Sequence, residues 1–455
     1  MAVAGDLFEA LRGAAEAVRA GARAPLVCVV QTARMDVDCA ALFTEDGEAS
    51  VVWEQPDRDV HIAARGVVAE IRGERAASRF GTLARRAEVL FEDMAVVRMD
   101  RSPMEPVLLG GFAFSEATDW ALGDGRLILP ELTYIRRDGR AAWIRSIVVE
   151  PRSDPVQLAG DVTRELMRLS ELGGGWLPPR PIGPAQPFNP ADPDYPKLVQ
   201  RAIEEIARGG IAKLVPARTV EMTQKVDVVQ LLATLRDRYQ GCATFAFRFG
   251  DSTFVGATPE LLARMRNGTV ETAAVAGTGP RGETFDADHA LGLALLNDPK
   301  ERLEHSVVYD EIRARLVAAG VAVDEPRTPE ILKLPGLQHL WTRVTGTADS
   351  RSLIDLLAHL HPTPAVAGLP VGSAVRWLED NEAFDRGWYG GPIGYISQSG
   401  DGEFRVGLRS GLLDADTVQL FAGAGIVAGS TPDRELAETE LKFQALGQAI
   451  RAAAL

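Results

Sequence analysis

Between Thr244 and Gly282 the chain reads TFAFRFGDSTFVGATPELLARMRNGTVETAAVAGTGPRG, short alternating runs separated by turn residues. Alternation at period two puts one set of side chains on a buried face, and Asn267-Gly268 supplies the positive φ angles of a tight hairpin. Strands joined so closely run antiparallel, which argues against a doubly wound parallel sheet. Asp138-Gly139 gives the same signal inside LTYIRRDGRAAWIRSIVV, and the segment from Gly390 to Val427 reads as three more strands with polar turns. Helical spacing marks the first 20 residues, Tyr195 to Gly209, about Pro299 to Ala319, Ser352 to Leu360, and Pro432 to about Ala453. Hairpin groups separated by helices define an α+β fold with antiparallel sheets.

The densest proline run, Gly173 to Pro196, removes backbone donors and is the natural linker. It divides the chain into a strand-rich part at 1–175, a crossover at 176–196 and a region at 197–455, and it crosses one large body as readily as it separates two domains. LLGGFAFS near residue 110 echoes YGGPIGYIS near 390 and hints at a duplicated sheet unit.

Asp and Glu number 63 against 49 Lys and Arg, and the net charge of −14, with no basic run to offset it, argues against nucleic acid or an anionic membrane as partner. No stretch approaches the roughly 20 apolar residues of a membrane span. Three cysteines without pairing or metal-type spacing fit a reducing, cytoplasmic setting. The N-terminus carries Asp6 and Glu9 where a signal peptide carries positive charge.

Two helices each present a Glu-x-x-Glu: Glu301 and Glu304 in NDPKERLEH, and Glu435 and Glu438 in GSTPDRELAETELKFQAL. Residues three apart share a helix face, so these carboxylates either lie in water, with Glu438 paired to Lys442, or meet around a hard divalent cation. Lys213 interrupts the apolar strand IAKLVPAR and is either a base drawn inward or an edge-strand gatekeeper. Arg409 is a carboxylate clamp or an outward strand residue, and AGAGIVAGS before the last helix offers free amides to an anion without the P-loop lysine.

Taken in order, KLVPAR, FVGATPELL, AGTGPRG, DPKERLEH, HPTPAVAG, FAGAGIVAGS and ELAETELK resemble the signature of the chorismate-utilising enzymes, across about residues 195–452. The resemblance implies large antiparallel sheets packed together with helices outside. It implies Mg²⁺ on Glu304 and Glu438 with Glu301 and Glu435 beside them, Lys213 as general base and Glu260 as general acid. Gly277, Thr278, Ala365, Arg409, Gly423 and Lys442 match residues lining the chorismate site, with Tyr389 and His339 as neighbours.

Within that family, ammonia-using members carry Gln where this chain has Lys213, so water is the implied nucleophile. Ala276 stands where many aminodeoxychorismate synthases have a nucleophilic lysine, and Ala365 where salicylate synthases tend to have threonine. The expectation is an isochorismate synthase acting on chorismate, monomeric and without an amidotransferase subunit. Its alternatives are a salicylate synthase, which would add pyruvate elimination, and a non-catalytic homologue. Isochorismate begins both menaquinone and siderophore routes, and no residue chooses between them.

Overall fold

The computed structural model describes residues 2–20, 25–73, 79–116, 118–181, 194–333, 337–348 and 352–455; residues 182–193 of the proline-rich stretch lie outside these. Strand alternation decides the layering. In the strand Ala243–Phe249, Phe245 and Phe247 enter one apolar cluster and Ala246 another, as Val51 and Trp53 part from Val52, and Ile62 from Ala63. The second cluster is completed by Leu11, Leu166, Leu231 and Phe443, from the helices Ala2–Arg19, Pro155–Ser170, Val228–Arg238 and Pro432–Ala452. The first is completed by Ile393, Tyr395 and Phe404 of a second sheet and by Leu83 and Leu356 of the helices Arg79–Glu92 and Leu353–Leu360. Helix, sheet, sheet and helix thus lie in four layers. Across the inter-sheet core, the rings of Trp53 and Tyr395 meet edge to face at 6.1 Å.

The larger sheet has eleven strands, ordered outward from a central pair. On one side lie Ala243–Phe249, Ser252–Thr258, Ser410–Asp414, Thr417–Gly423 and Ala217–Thr223. On the other lie Ala49–Gln55, Val60–Arg65, Leu132–Arg137, Arg140–Val148 and Leu26–Thr32, with Met94–Arg98 added in parallel at the edge. The second sheet repeats the scheme: Pro392–Ser397, Gly402–Val406 and Leu261–Arg266 face Val107–Phe112, Gly125–Leu129 and Ala69–Arg72. The two halves lay down corresponding strands in the same chain order, so the sheets are a duplicated unit sharing both centres. The echoing segments near 110 and 390 are the central pair of the second sheet, with Gly110 opposite Gly394. Both sheets therefore need strands from either side of the proline-rich stretch.

The second half carries a long insertion between Leu261–Arg266 and Pro392–Ser397, including the strand Thr269–Pro280 and the helix Pro299–Ala318. Asn267 and Gly268 have φ of 49° and 75°, and Asp138 and Gly139 of 54° and 72°, the left-handed pairs of two-residue hairpins. Two expectations are corrected. IAKLVPARTV is not one strand, because Pro216 separates Lys213–Leu214 from Ala217–Thr223. The segment from Gly390 to Val427 holds four strands, since Gly407–Arg409 bends the chain between two of them. The helices Arg79–Glu92, Pro155–Ser170, Val228–Arg238, Phe285–Asn297 and Val371–Asn381 are also present and unread in the sequence, the last two flanking Pro299–Ala318 and Gly368–Leu369.

On the central strand Val107–Phe112 of the second sheet only glycine fits: a Cβ on Gly110 would stand 1.8 Å from the Arg126 carbonyl oxygen of the neighbouring strand Gly125–Leu129. Gly110→Ala is expected to lower the unfolding free energy by about 3 kcal/mol, read from urea denaturation, because backbone cannot yield as a side chain can.

Candidate active site

The strand Lys213–Leu214 pairs with Gly368–Leu369, and this short ladder aims Lys213 inward, its side chain 12% exposed. The gatekeeper reading therefore gives way to the inward one. Lys213 Nζ lies 3.4 Å from Glu304 Oε1. Glu304 belongs to the helix Pro299–Ala318, whose start is capped by the Asp298 side chain on the amides of Lys300 and Glu301. One residue on, buried His305 meets the Thr342 hydroxyl at 2.7 Å. The NDPKERLEH segment thus anchors His305 in the protein while turning its glutamates to a cavity. Glu301 Oε2 accepts the Thr278 amide at 3.1 Å, where the strand bulges at Gly277 with φ of 78°.

Glu260 follows the strand Ser252–Thr258. Arg405 donates to the carbonyls of Thr258 and Pro259 at 3.3 and 3.2 Å and fixes the backbone just before it. The Thr363 hydroxyl donates to Glu260 Oε1 at 3.4 Å. From the helix Pro432–Ala452, Lys442 Nζ donates to Glu438 Oε1 at 2.8 Å and to the Gly423 carbonyl at 2.7 Å.

A cavity of about 300 Å³ gathers all fourteen residues named from the sequence: Lys213, Glu260, Gly277, Thr278, Glu301, Glu304, His339, Ala365, Tyr389, Arg409, Gly423, Glu435, Glu438 and Lys442. Glu304 and Glu438, 134 positions apart in the chain, line it together, with side-chain exposures of 30% and 32%. Thr278 Oγ1 lies 3.0 Å from His339 Nδ1, and Tyr389 stacks on Phe421 with centroids 5.2 Å apart. Arg409 takes a left-handed backbone with φ of 50°, outside the ordinary range for a residue with a Cβ, and faces the cavity instead of alternating outward.

Burial sets the charges. It pushes the Glu260 carboxyl up to about 7, against the opposing Thr363 hydrogen bond and the nearby ammonium groups of Lys213 and Lys442. It also raises Glu435, with Glu438 adding to the effect. Burial works against Glu438 too, but Lys442 outweighs it and holds that carboxyl below its usual range. His339 is pulled down to about 4 by burial and then by Lys442 and Arg409, so it is neutral at neutral pH. Burial raises the Tyr389 phenol to about 12.

Four glutamates offer hard oxygen donors, the chemistry of a hard divalent cation. They do not close on one point: Glu304 and Glu438 each hold a lysine, Glu301 holds the Thr278 amide and Glu435 the Ser430 hydroxyl. Among the described residues no three His, Cys, Asp or Glu side chains form a ligand cluster. The donors fit an ion that takes one or two carboxylates and completes its shell with water or a ligand's own oxygens.

Sequence reasoning missed Thr363, which stands in the quoted HPTPAVAG run, and Gly425, where a Cβ would come within 3.2 Å of Lys213 Cε. It also missed Lys300, Arg386, Leu408 and Phe421 of the cavity wall. Lys300 and Phe421 stand in the quoted DPKERLEH and FAGAGIVAGS runs, whereas nothing local marks Arg386 and Leu408.

The fold and cavity define an enzyme for a small anionic substrate, with a buried carboxyl near neutrality beside a lysine. Residues 13–451 match the chorismate binding enzyme family, and the chain belongs to it; chorismate is that family's substrate. The salicylate biosynthesis isochorismate synthase of Pseudomonas aeruginosa is 34% identical over 88% of this chain and 84% of its own. The isochorismate synthase MenF of Bacillus subtilis is 31% identical over 88% and 87%. The solved structure of MenF, the menaquinone-specific isochorismate synthase of Escherichia coli, is similar with a TM-score of 0.76, at 25% identity over 97% of this chain and 99% of that one. No helix among the described residues is long and apolar enough to cross a membrane.

Thr363→Val should raise the Glu260 pKa further above about 7, since the lost hydrogen bond favours the charged carboxylate. Carboxyl ¹³C titration of labelled protein, with Glu260→Gln to assign the signal, checks it; an unmoved titration contradicts the assigned contact.

Proposed function

We infer that this chain is an isochorismate synthase, an isomerase that interconverts chorismate and isochorismate with Mg²⁺. The observation that carries the reading is Lys213 and Glu260 lining one cavity, with Glu260 close to neutrality. Mg²⁺ on Glu304 and Glu438, flanked by Glu301 and Glu435, would supply the positive charge that lets a glutamate-lined cavity accept the ring carboxylate. Arg409, Lys442 and the backbone at Gly277, Thr278 and Gly423 serve the dianion, which a protein of net charge −14 can hold only against local cations.

In the forward direction Lys213 takes a proton from water as the oxygen bonds to ring position two. The ring double bonds shift, the bond to the hydroxyl at position four breaks, and protonated Glu260 gives its proton to that hydroxyl, which leaves as water. One water enters and one departs, so the reaction is isomerisation and reversible. A carboxyl near 7 is protonated in a useful fraction of molecules and still gives up its proton readily. Neutral His339 and protonated Tyr389 flank the substrate without adding charge. Ala365 leaves the wall small where salicylate synthases tend to have threonine. The enzyme acts as a cytoplasmic monomer without an amidotransferase subunit, its chorismate region is 197–455, and its product serves a menaquinone or siderophore route.

Incubation with chorismate and Mg²⁺, with products resolved by chromatography, should give isochorismate; salicylate as the dominant product at neutral pH overturns this reading. Chelation of divalent ions should abolish turnover and added Mg²⁺ restore it. Lys213→Ala should lose roughly a hundredfold or more in kcat. On the alkaline side, kcat should decline as pH rises through about 7, because Glu260 must hold its proton to act as acid.

A further inference from the structure

The ladder that aims Lys213 ends abruptly. Lys213 faces Leu369, Leu214 faces Gly368, and the Val215 amide donates to the Ala367 carbonyl at 3.0 Å. The Ala367 amide does not return the bond but turns to the Thr363 carbonyl at 3.1 Å, which leaves the Val215 carbonyl without its ladder donor. A buried arginine fills the gap. Arg386 Nη1 donates to the Val366 carbonyl at 3.0 Å and Nη2 to the Val215 carbonyl at 2.7 Å. Its Nε and Nη2 donate to the two Glu382 oxygens at 2.7 and 2.6 Å, and Glu382 Oε1 also accepts the Ala217 amide at 2.7 Å. Arg386 and Glu382 side chains are 5% and 4% exposed.

The two carbonyls belong to the two segments that carry the chemistry. Val215 lies two residues after Lys213; Val366 follows Ala365 and comes three residues after Thr363, the hydrogen-bond donor to Glu260. A guanidinium is a rigid fork of five N–H groups, and four of its bonds here are accounted for by Glu382, Val215 and Val366. Arg386 is therefore already satisfied by protein, in contrast to Arg409, whose guanidinium makes no hydrogen bond among the described residues. The Arg386 ring contact with Phe114, 4.3 Å to the centroid, adds a wall on the far side.

We propose that the Arg386–Glu382 pair is a positioning device for isomerisation, fixing the separation between the Lys213 strand and the 363–366 segment that supports Glu260. It rests on the general-base and general-acid roles given above to Lys213 and Glu260. Removing it leaves the substrate's charge partners in place and misaligns the proton donor and acceptor. The cost falls on turnover, where a displacement of about 1 Å is worth roughly a hundredfold.

The test uses two variants. Arg386→Lys keeps the charge beside Glu382 but not the fork; Arg386→Met with Glu382→Gln removes both buried charges together, which avoids an unpaired one. Both should show kcat reduced by about tenfold to a hundredfold with KM within about threefold of the native value. Hydrogen exchange should quicken in peptides covering 211–217 and 362–368 and stay unchanged in the helix Pro432–Ala452. Unchanged kcat in both, unchanged exchange in those peptides, or a KM rising as steeply as kcat falls would overturn the proposal. So would failure of both variants to fold, which would make the pair a support of the whole fold. A Lys213→Ala protein with native turnover would instead reject the general-base role, while the exchange result at 211–217 and 362–368 would stand.

Discussion

Like charges must be held in one place, and the cavity does this by giving each carboxylate a protein partner of its own. Lys213 meets Glu304, Lys442 meets Glu438, the Thr278 amide meets Glu301, and buried Glu435 keeps a raised pKa. Two of these glutamates come from one helix and two from another; Lys442 stands one turn after Glu438 on its own helix, and only Lys213 reaches in from elsewhere in the fold. Such an arrangement is stable only while the helices Pro299–Ala318 and Pro432–Ala452 stay docked on a rigid frame. Glu260 is the exception that makes chemistry available: its attractions to Lys213 and Lys442 do not overcome burial, and it stays near 7.

That frame is the duplicated pair of sheets. Corresponding strands from the two halves meet at Ala243–Phe249 with Ala49–Gln55 and at Pro392–Ser397 with Val107–Phe112. The second half adds the insertion that brings Glu301, Glu304, His339, Thr363 and Ala365. Chemistry therefore accumulates in one copy, and the other copy supplies the opposing edge of each sheet.

This division explains what the sequence disclosed. The hairpins at Asn267-Gly268 and Asp138-Gly139 were legible because positive φ at both positions has a local residue signature. The fourteen candidate residues that share one cavity follow from the family resemblance; spacing alone leaves Glu301, Glu304, Glu435 and Glu438 as plausible surface residues. The helix Phe285–Asn297 escaped because Leu291 and Leu293 are exposed and its apolar residues form no single stripe. Arg386 and Thr363 escaped for another reason: their partners lie 171 and 103 positions away and exist only after both sheets have closed.

The shared centres also fix what a shortened chain can do. Residues 197–455 alone would hold every cavity residue named here, yet Ala243–Phe249 and Pro392–Ser397 would each lose a neighbour and become open, apolar edges. Such a fragment would recruit strands from its own kind, and aggregation would replace folding. The chemically silent first half acts, in effect, as a built-in stopper against self-association.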